Sequence, residues 1–510
     1  MDKKSLYITT PIYYVNAAPH IGTAYTTLVC DVIARFKRLE GYEVKFLTGT
    51  DEHGQKIEKT ADKFDLSPQE FADTIATKFK ALFKQMKISN DDFIRTTEER
   101  HKRGAVALWN KLKENGHIYL DKYSGWYAIR DEAFYAEGEL VDGKAPTGAE
   151  VEWISEESYF FDLSKWQGKL LEFYEKNPNF VEPKWRFNEI KSFVKAGLRD
   201  LSISRTSFKW GVPIPGDENH VMYVWLDALS NYIAALGYPN SNSKDFNKFW
   251  PADIHMVGKD ITRFHAIYWP AFLMAADIEL PKQIVSHGWW LNEGEKISKS
   301  LGNVIDPVDL INQYGLDQVR YYLMREISFG NDGNFTNESF INRVNSELSN
   351  KLGNLVQRSL SMIYKSCDQQ IPAFSNEKIK VLYNEIQILE EASHLFCKIK
   401  KYFDQYEFNK VLECVFEFVD SINAYINEQA PWELSKSNPG KMQDVLYAVL
   451  EATRHVLIIL IPFVPDSAHQ LLEQLKIVSA HRSFNCLNRN FALKYKGKIT
   501  KPISVFPRIE

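Results

Sequence analysis

Residues 6–23 read LYITTPIYYVNAAPHIGT, and this stretch decides the fold. Its first five residues, mostly apolar or β-branched, predict a strand. Pro19 suits the first turn of a helix, where the missing N–H of proline costs nothing. Apolar residues at helical spacing continue that helix to Leu39, and Gly41 suits its C-terminal cap. Residues 44–48 then predict a second strand.

A β-α-β unit of this kind predicts a parallel sheet whose ligands bind beyond the carboxyl ends of the strands. Two features of the sequence would lie at that edge. One is His20 at the helix start, and the other is the segment GTDEHG at residues 49–54. We therefore expect the functional site there.

The pattern changes further along the chain. After about residue 115 the sequence becomes aromatic and turn-rich, which predicts a small β-rich insertion. The α/β pattern returns at about residue 250, with a strand at 254–258 and a helix at 264–275, and helices follow from about 340 to 475. We predict an α/β fold with a Rossmann-like parallel-sheet catalytic domain, a β-rich insertion and a C-terminal α-helical bundle.

Length and composition exclude several classes of protein. At 510 residues the chain is too long for one core, and its 45% hydrophobic content is typical of folded globular protein. No apolar run reaches the roughly 18 residues of a membrane span, and the N-terminus lacks the apolar core of a signal sequence. The five cysteines are odd in number and form no Cys-x-x-Cys pair, so we expect a cytoplasmic protein.

The formal net charge of −4 gives no attraction to nucleic acid. A nucleic-acid partner would therefore need a local basic surface, and the C-terminal tail is one candidate. Its basic residues, opposed there only by Glu510, are Arg482, Arg489, Lys494, Lys496, Lys498, Lys501 and Arg508. A solvated surface is an equally good interpretation of this tail.

Two stretches far apart in the chain indicate one triphosphate site. At the predicted helix start His20 faces N–H groups and a dipole that favour anions, and Gly22 would let a base or phosphate approach the backbone. In a polar loop at 292–303, the sequence KISKS at 296–300 supplies ammonium groups and hydroxyls to a phosphoryl-transfer transition state. Each stretch alone is weak, because short His-x-Gly motifs and solvated lysine loops are common. Together they predict an enzyme that activates a substrate with ATP.

Further residues indicate a substrate pocket beside that site. Asp51 at a strand end is available to a substrate ammonium, although a helix N-cap explains it equally well. Residues 224–232 read VWLDALSNY, and GKD at 258–260 is followed by His265 and Trp269 at i, i+4 spacing. Aromatic residues at helical spacing are usually core, but these carry polar tips, which suits an apolar pocket with a few orienting groups.

With these residues the chain resembles the methionyl-tRNA synthetases, which are class I aminoacyl-tRNA synthetases, over essentially its whole length. Residues 10–16 (TPIYYVN) leading into 19–22 (PHIG) are similar to that family's HIGH signature. The segments at 49–54, at 223–228 (YVWLDA) and at 296–300 are similar to its other motifs, in the same order. Four ordered matches make the resemblance highly specific.

The resemblance implies roles for the matched residues. It implies a methionine pocket, with Asp51 near the amino group, formed by Ile12, Tyr14, Asp51, Trp225, Ala228, Tyr232, His265 and Trp269. It implies ATP binding by His20, Gly22, Lys259, Asp260 and Lys299, and catalysis by His20, Thr23, Lys296, Lys299 and Ser300. It implies that the CAU anticodon is read by Asn354, Arg358 and Trp432. Aromatic stacking suits unpaired bases, and an aromatic pocket suits a flexible thioether.

The resemblance also gives names to the predicted segments. They are the first half of the catalytic domain (1–114), a connective insertion (115–202), the second half of the catalytic domain (203–287), a KMSKS-type loop with a stem-contact region (288–345), and an anticodon-binding helical domain with a basic tail (346–510). Some relatives add a C-terminal dimerisation module, whereas this chain ends soon after the bundle, so we expect a monomer.

Two positions depart from the family's catalytic motifs. The HIGH-type signature ends in Thr23 rather than histidine, and threonine donates a hydrogen bond but carries no charge, which puts the catalytic share of this position in question. The lysine-rich motif has Ile297 where the family has methionine, which exchanges one apolar residue for another and should be mild.

A third departure concerns zinc, which many relatives hold in the insertion. The matching positions here are Ala128, Asp131, Ala145 and Gly148. A single carboxylate cannot build a tetrahedral nitrogen and sulfur site, so we predict no structural zinc. The insertion would then be held by packing of residues such as Trp126, Tyr127 and Phe134.

The predicted activity joins methionine to tRNA(Met) in two steps. The methionine carboxylate attacks the α-phosphate of Mg-ATP and pyrophosphate leaves; the terminal ribose hydroxyl of the tRNA then attacks the adenylate and AMP leaves. Positioning and charge stabilisation supply the catalysis, so no side-chain nucleophile is needed. The expected partners are methionine, ATP and tRNA(Met), and no membrane.

Three alternatives stay open. A class I synthetase for another apolar amino acid shares this architecture, but those for leucine, isoleucine and valine carry a large editing insertion, and residues 115–220 are too short for one. A related nucleotidyltransferase shares the HIGH-type site but needs no helical bundle of this length. A tRNA-binding protein without activity is supported only by Thr23, and the intact Lys299 and Asp51 argue against it.

Overall fold

The computed structural model describes residues 4–16, 18–130, 133–135, 137–297, 303–493 and 497–510. The chain divides into two units. The first is formed by Met1–Cys30 and Glu43–His287, and the second by Asp31–Tyr42 and Gly288–Glu510. Apart from residues 31–42, which belong to the second unit, the segments predicted as the insertion and as the two halves of the catalytic domain lie in the first unit.

The first unit contains both strands and helices. Its strands are β1 (Ser5–Thr9), β2 (Tyr13–Tyr14), β3 (Glu43–Asp51), β4 (Asp92–Arg95), β5 (Ile118–Ala128), β6 (Ala133–Tyr135), β7 (Glu152–Phe161), β8 (Val181–Glu182), β9 (Leu201–Ser202), β10 (Ser204–Arg205), β11 (Pro213–Ile214), β12 (Asp217–Met222), β13 (Ile254–Gly258) and β14 (Ile284–His287). Its helices are α1 (Ile21–Leu39), whose last turns belong to the second unit, α2 (Gln55–Asp62), α3 (Pro68–Gln85), α4 (Glu99–Glu114), α5 (Gln167–Lys176), α6 (Lys184–Lys195), α7 (Val224–Ala234), α8 (Lys244–Phe249) and α9 (Trp269–Ala275).

A parallel sheet forms the centre of the first unit, as the sequence predicts. Its hydrogen-bonded neighbours run β4-β3-β1-β13-β14-β8, and β2 pairs with the last residues of β3. Every pairing in this sheet is parallel. The edge strand β8 comes from the predicted insertion. The strand predicted at residues 44–48 continues to Asp51, because its second half gains β4 as a hydrogen-bonding neighbour.

The sheet strands are buried on both faces, which is typical of parallel sheets covered by helices. Four of the five residues of β1 are buried, and so are all four of β14. Helices α4 and α7 pack closely on each other: a Cβ at Gly104 would lie only 2.5 Å from the Cβ of Ala234. No larger residue than glycine fits on α4 at this contact.

The insertion is β-rich, as predicted. Strands β5 and β7 form a long antiparallel pair from Ile118↔Phe161 to Tyr127↔Glu152, with β6 and β9 at the two sides. Two of the predicted packing residues support this pair. Tyr127 is buried, and Trp126 faces Trp153 across the strands with ring centroids 5.3 Å apart.

The second unit is mainly helical. Its strands are β15 (Trp290–Asn292), β16 (Glu295–Lys296) and β17 (Gly333–Phe335). Its helices are α10 (Pro307–Tyr314), α11 (Leu316–Arg325), α12 (Asn337–Arg343), α13 (Asn354–Ser366), α14 (Asn376–Glu385), α15 (Gln387–Phe403), α16 (Phe408–Gln429), α17 (Pro431–Ser437), α18 (Pro439–Leu460) and α19 (Pro465–Gln474). The predicted helical bundle is confirmed.

One local prediction is wrong. The first part of the predicted loop at 292–303 is a hairpin, in which Asn292 of β15 faces Glu295 of β16. Glu293 and Gly294 both have positive φ, as the tight two-residue turn between antiparallel strands requires. The helix predicted at 264–275 is confirmed, and its first part, Phe264–Tyr268, is a π-helix that continues directly into α9. Pro270 has no N–H for the residue four before it, so the regular ladder is interrupted there.

The basic tail differs from a purely solvated surface at one residue. Arg482 is buried, and its Nε and Nη2 donate to the carbonyl of Ile477 at 3.0 and 2.7 Å. Arg482 therefore stabilises the end of the bundle. Arg489, Lys498, Lys501 and Arg508 are exposed, and Lys494 and Lys496 lie outside the described residues. In the described parts of the chain, no helix combines the length and apolarity needed to cross a bilayer.

Candidate active site

The first turn of α1 is built around His20. The side-chain Nδ1 of His20 accepts the backbone N–H of Gly22 at 3.0 Å, so the imidazole caps the helix while remaining exposed. A Cβ at Gly22 would lie 2.8 Å from Cε1 of that imidazole. The glycine is therefore needed to seat His20, a reason that the sequence interpretation of Gly22 did not include. Thr23, on the same turn, is buried.

The rest of this turn is held against the carboxyl end of β14. Thr26 Oγ1 lies 2.8 Å from Nε2 of His287, and the ring of Tyr25 packs edge-on against His287 at 5.2 Å. His287 was not predicted from the sequence. These contacts fix the helix N-terminus at the edge of the sheet where ligands of parallel α/β folds bind.

Asp51 lies at the carboxyl end of β3 and is buried. Tyr14 of β2 is its strand partner, and the N–H of Val15 donates to the Asp51 carbonyl at 3.1 Å. The N-cap position of the following helix α2 is Gly54, so the N-cap interpretation of Asp51 is wrong. Ile12 lies just before β2 and packs on the central core.

An aromatic group faces this edge from α7 and the π-helix. Trp225 stacks on Phe264 with ring centroids 3.8 Å apart and planes 10° from parallel. Ala228, one turn further along α7, is buried, and Trp269 at the start of α9 is fully buried. The sequence prediction included Trp225 and Trp269 but not Phe264, because stacking partners on different elements have no sequence spacing in common.

A hydrogen-bonded pair adds polar atoms to this apolar group. His265 Nδ1 donates to the carbonyl of Ile261 at 3.0 Å, so Nε2 carries the lone pair and accepts the hydroxyl of Tyr232 at 2.7 Å. Burial lowers the pKa of His265 to about 4, because the charged imidazolium would lose its hydration. His265 is therefore a neutral acceptor at physiological pH.

Beneath this pair lies a second imidazole. His255 on β13 stacks obliquely on the Tyr232 ring at 4.1 Å, and its Nδ1 lies 2.7 Å from Oγ1 of Thr9. Burial also lowers the pKa of His255. Thr9 and His255 are adjacent in the sheet, since they are paired residues of β1 and β13. Neither was among the predicted site residues.

The predicted ATP residues Lys259 and Asp260 follow β13 directly, in a short 3₁₀ turn. A Cβ at Gly258 would lie 2.7 Å from Oδ1 of Asp260, so this turn closes tightly over the strand end. Because β13 is parallel to β1 and β3, Lys259, which follows β13, and Asp51, which ends β3, lie at the same edge of the sheet.

The lysine-rich motif is only partly described. Lys296 ends β16, the second strand of the hairpin. Lys299 and Ser300 lie outside the described residues, as does the side chain of Lys296. Their predicted catalytic roles stay predictions.

Two of the four positions at which the family resemblance implies a zinc site lie in an apolar cluster of the insertion. Ala128 and Ala145 are buried together with Ala149, and Tyr135 and Val151 pack against them. Methyl groups supply no metal ligand. Among the described residues, no group of three or more His, Cys, Asp and Glu side chains is arranged to hold a metal ion. Asp131, and the side chain of Phe134, lie outside the described residues.

In the second unit the predicted anticodon residues lie near the carboxyl end of α16. Arg358 on α13 donates to Oδ1 of Asn427 at 2.8 Å and to Oδ1 of Asn423 at 3.3 Å. Trp432 is one residue into α17, which follows α16 through the left-handed residue Ala430, and it is 44% exposed. Asn354 begins α13, directly after a π-helix, Val344–Gly353.

Sequence comparisons agree with this arrangement. Residues 6–152 and 138–360 match the class I tRNA synthetases of the methionine type, and residues 385–499 match the anticodon-binding domain of tRNA ligases. The chain is 57% identical over 505 residues to the methionine–tRNA ligase of Rickettsia conorii, covering 99% of both chains. This chain belongs to the methionyl-tRNA synthetase family. It is also 48% identical to the Mesorhizobium japonicum ligase over 513 residues, covering 100% of this chain and 98% of that one.

Solved structures of methionyl-tRNA synthetases have the same fold. The Mycobacterium tuberculosis enzyme bound by methionyl-adenylate matches with a TM-score of 0.93 and 43% identity, over 99% of this chain and 100% of that one. Its free state matches with a TM-score of 0.87 and 42% identity, over 100% and 99%. The predicted family, fold class and enzyme class, a methionine–tRNA ligase, are confirmed. These matches favour none of the three alternatives, which were a synthetase for another apolar amino acid, a nucleotidyltransferase and a tRNA-binding protein without activity.

Proposed function

We propose that this methionyl-tRNA synthetase forms methionyl-adenylate at the carboxyl edge of its parallel sheet and transfers the methionyl group to tRNA(Met). The methionine side chain would lie against Trp225, Ala228 and the π-helix, with its ammonium towards Asp51. Ile12, Tyr14 and Trp269 would complete the walls. The M. tuberculosis relative bound by methionyl-adenylate supports an adenylate intermediate here.

The hydrogen bond from Tyr232 to His265 is the observation that carries this proposal. In this hydrogen bond the imidazole of His265 is neutral and the hydroxyl of Tyr232 is already the donor. The aromatic part of the pocket therefore has no charged group that could pair with a substrate side chain. A charged or strongly polar side chain would lose its hydration there without compensation. A thioether loses little, and sulfur makes favourable contacts with aromatic rings.

The ATP would bind between the helix N-terminus and the turn after β13. His20 and the positive end of the α1 dipole would favour the phosphates, and Lys259 would add positive charge. Lys296, Lys299 and Ser300 would act on the ATP phosphates during adenylyl transfer, where fixed donors stabilise developing charge. Magnesium would enter with the nucleotide, as part of the substrate.

The anticodon would be read by the second unit. Trp432 offers an exposed indole for stacking on an unpaired base, and Arg358 and Asn354 offer hydrogen-bond donors. The two asparagines that hold Arg358 fix the direction of its guanidinium before RNA binds.

The test is ATP–pyrophosphate exchange with each of the twenty amino acids, followed by charging of tRNA(Met). We expect methionine alone to support exchange at low concentration. Exchange with leucine, isoleucine or valine at a similar kcat/KM would contradict the assignment of the pocket. The monomeric state and the cytoplasmic location stay predictions, which light scattering and cell fractionation can test.

A further inference from the structure

A buried carboxylate joins two imidazoles beside the proposed methionine pocket. Oδ2 of Asp227 lies 2.6 Å from Nδ1 of His53, and its Oδ1 lies 2.6 Å from Nε2 of His101. Asp227 and His101 are completely buried, and His53 is almost so. None of the three was among the residues predicted for the site.

The protons in this cluster can be assigned from its geometry. Burial raises the pKa of Asp227, but the charges and hydrogen bonds of His53 and His101 outweigh burial and hold it well below the usual range. An ionised carboxylate can only accept, so both imidazoles donate to it. His53 donates through Nδ1 and His101 through Nε2. The buried Nδ1 of His101 has no hydrogen-bond partner among the described residues.

The cluster joins three elements that carry or support the pocket. Asp227 lies on α7, two residues after Trp225 and one before Ala228. His53 lies two residues after Asp51, at the exit of β3. His101 lies on α4, the helix whose Gly104 packs closely against α7.

The exit of β3 is fixed from its other side as well. Arg95 Nε and Nη2 donate to the carboxylate of Glu52 at 2.6 and 2.8 Å, and Thr97 donates to it at 2.6 Å. The indole N–H of Trp210 donates to the Glu52 carbonyl. Glu52 is thus hydrogen-bonded to β4 and the turn after it. The neighbouring residue His53 connects the end of β3 to α7 through its hydrogen bond with Asp227.

We propose that Asp227, through His53 and His101, is a positioning residue that sets the separation between the Asp51 carboxylate and the Trp225 ring. The proposal rests on the function proposed above, because it assigns those two groups to the ammonium and the side chain of one methionine. Neither imidazole needs to touch the substrate. Their effect is to hold two parts of a single pocket in register.

Conservative substitutions can separate positioning from general packing. The amide nitrogen of asparagine occupies nearly the place of Nδ1 of histidine, so His53→Asn keeps a donor to Asp227, whereas His53→Ala removes it. In the same way His101→Gln keeps the Nε2 donor and His101→Ala removes it. Buried partners left without a hydrogen bond are strongly destabilising, which makes each pair a sharp contrast.

The experiment measures KM for methionine, KM for ATP and kcat by pyrophosphate exchange, together with the melting temperature. We expect each alanine variant to raise KM for methionine about tenfold or more, with KM for ATP changed less than about twofold. His53→Asn and His101→Gln should recover most of the methionine affinity. The control is His117→Ala, which breaks another histidine–aspartate pair of this unit, His117 with Asp162 at 3.1 Å, and should change neither KM.

Two results would overturn the proposal. One is an equal rise of both KM values that follows the loss of melting temperature, which is what a merely structural role produces. The other is an unchanged KM for methionine in folded His53→Ala and His101→Ala. The same assay on the wild-type protein tests the proposed function separately. Wild-type pyrophosphate exchange that does not depend on methionine would reject that function, whatever the variants show.

Discussion

The two recognition regions of this synthetase are built in opposite ways. In the first unit Tyr232, His265 and Trp269 are buried, and Tyr232 and His265 are joined by a hydrogen bond. In the second unit the indole of Trp432 is 44% exposed, and Arg358 is held by asparagines at a surface. The side chains of the first region are buried and preorganised, whereas those of the second region are exposed to solvent.

The ligands explain the difference. A small apolar side chain gains its affinity by leaving water, so its pocket must be enclosed and must satisfy its own polar atoms. Unpaired bases bring large flat surfaces of their own, so an exposed ring and a few donors are enough. Variants in the pocket should therefore affect amino-acid activation, whereas variants at the exposed face should affect only tRNA charging.

The largest effect is expected from Lys299→Ala. Loss of one cation that acts on the transition state should lower pyrophosphate exchange roughly 10²-fold or more, while binding of tRNA(Met) is kept. The matched control is Lys282→Ala, because Lys282 is an exposed lysine of the first unit paired with Asp253. Near-normal exchange in Lys299→Ala would remove this residue from the mechanism.

Trp432→Ala should lower tRNA charging roughly 10- to 100-fold, the range expected from one lost base-stacking contact, with exchange unchanged. Trp185→Ala is a matched control, since Trp185 is 46% exposed but lies in the first unit. If both steps fall equally in Trp432→Ala, the exposed face is not a separate recognition region.

Tyr232→Phe should raise KM for methionine about fivefold to tenfold and leave KM for ATP unchanged. The substitution leaves buried Nε2 of His265 without its donor, which weakens the pocket rather than the chemistry. Tyr383→Phe removes a similar buried hydroxyl from the second unit, where Tyr383 donates to Glu451, and should affect stability only. An unchanged KM for methionine in Tyr232→Phe would mean that the hydrogen bond between Tyr232 and His265 does not contribute to methionine binding.

The last prediction concerns the effect of pH on stability rather than on activity. The pKa of His265 is lowered to about 4 in the folded protein and is about 6.5 in the unfolded chain, so between these values the unfolded state binds the extra proton. Stability contributed by the neutral imidazole is present above pH 6.5 and is lost as pH falls towards 4, by up to about 1.4 kcal/mol per pH unit. In urea unfolding, the free energy of unfolding should fall less between pH 7 and pH 5 in His265→Gln than in the wild type. An identical loss of stability in the variant and the wild type would mean that folding does not lower the pKa of His265.

The secondary-structure elements that form the site could be predicted from the sequence better than the contacts between them. The β-α-β opening was predictable because the apolar spacing of α1 and the turn at Gly41 act locally, although α1 begins at Ile21 and Pro19 precedes it. Asp51 and Trp225 were recognised because each lies in a contiguous motif. The buried polar contacts were not, since His53 and Asp227 are 174 positions apart and nothing in either segment specifies the other.

Local geometry limited the remaining predictions. The π-helix that carries His265 has almost the same apolar spacing as an α-helix, so periodicity could not distinguish them. The turn at Glu293 and Gly294 was hidden because a polar segment with a glycine resembles an open loop. Arg482 resembled a surface charge because its partner is a backbone carbonyl, which has no sequence signature.

A crystal structure of this protein with methionine is the most direct test of the central claim. We predict the thioether against Trp225 and within reach of Tyr232 and His265, with the ammonium within hydrogen-bond distance of Asp51. Methionine bound elsewhere in the first unit, with Asp51 and Trp225 making no contact with it, would contradict the account.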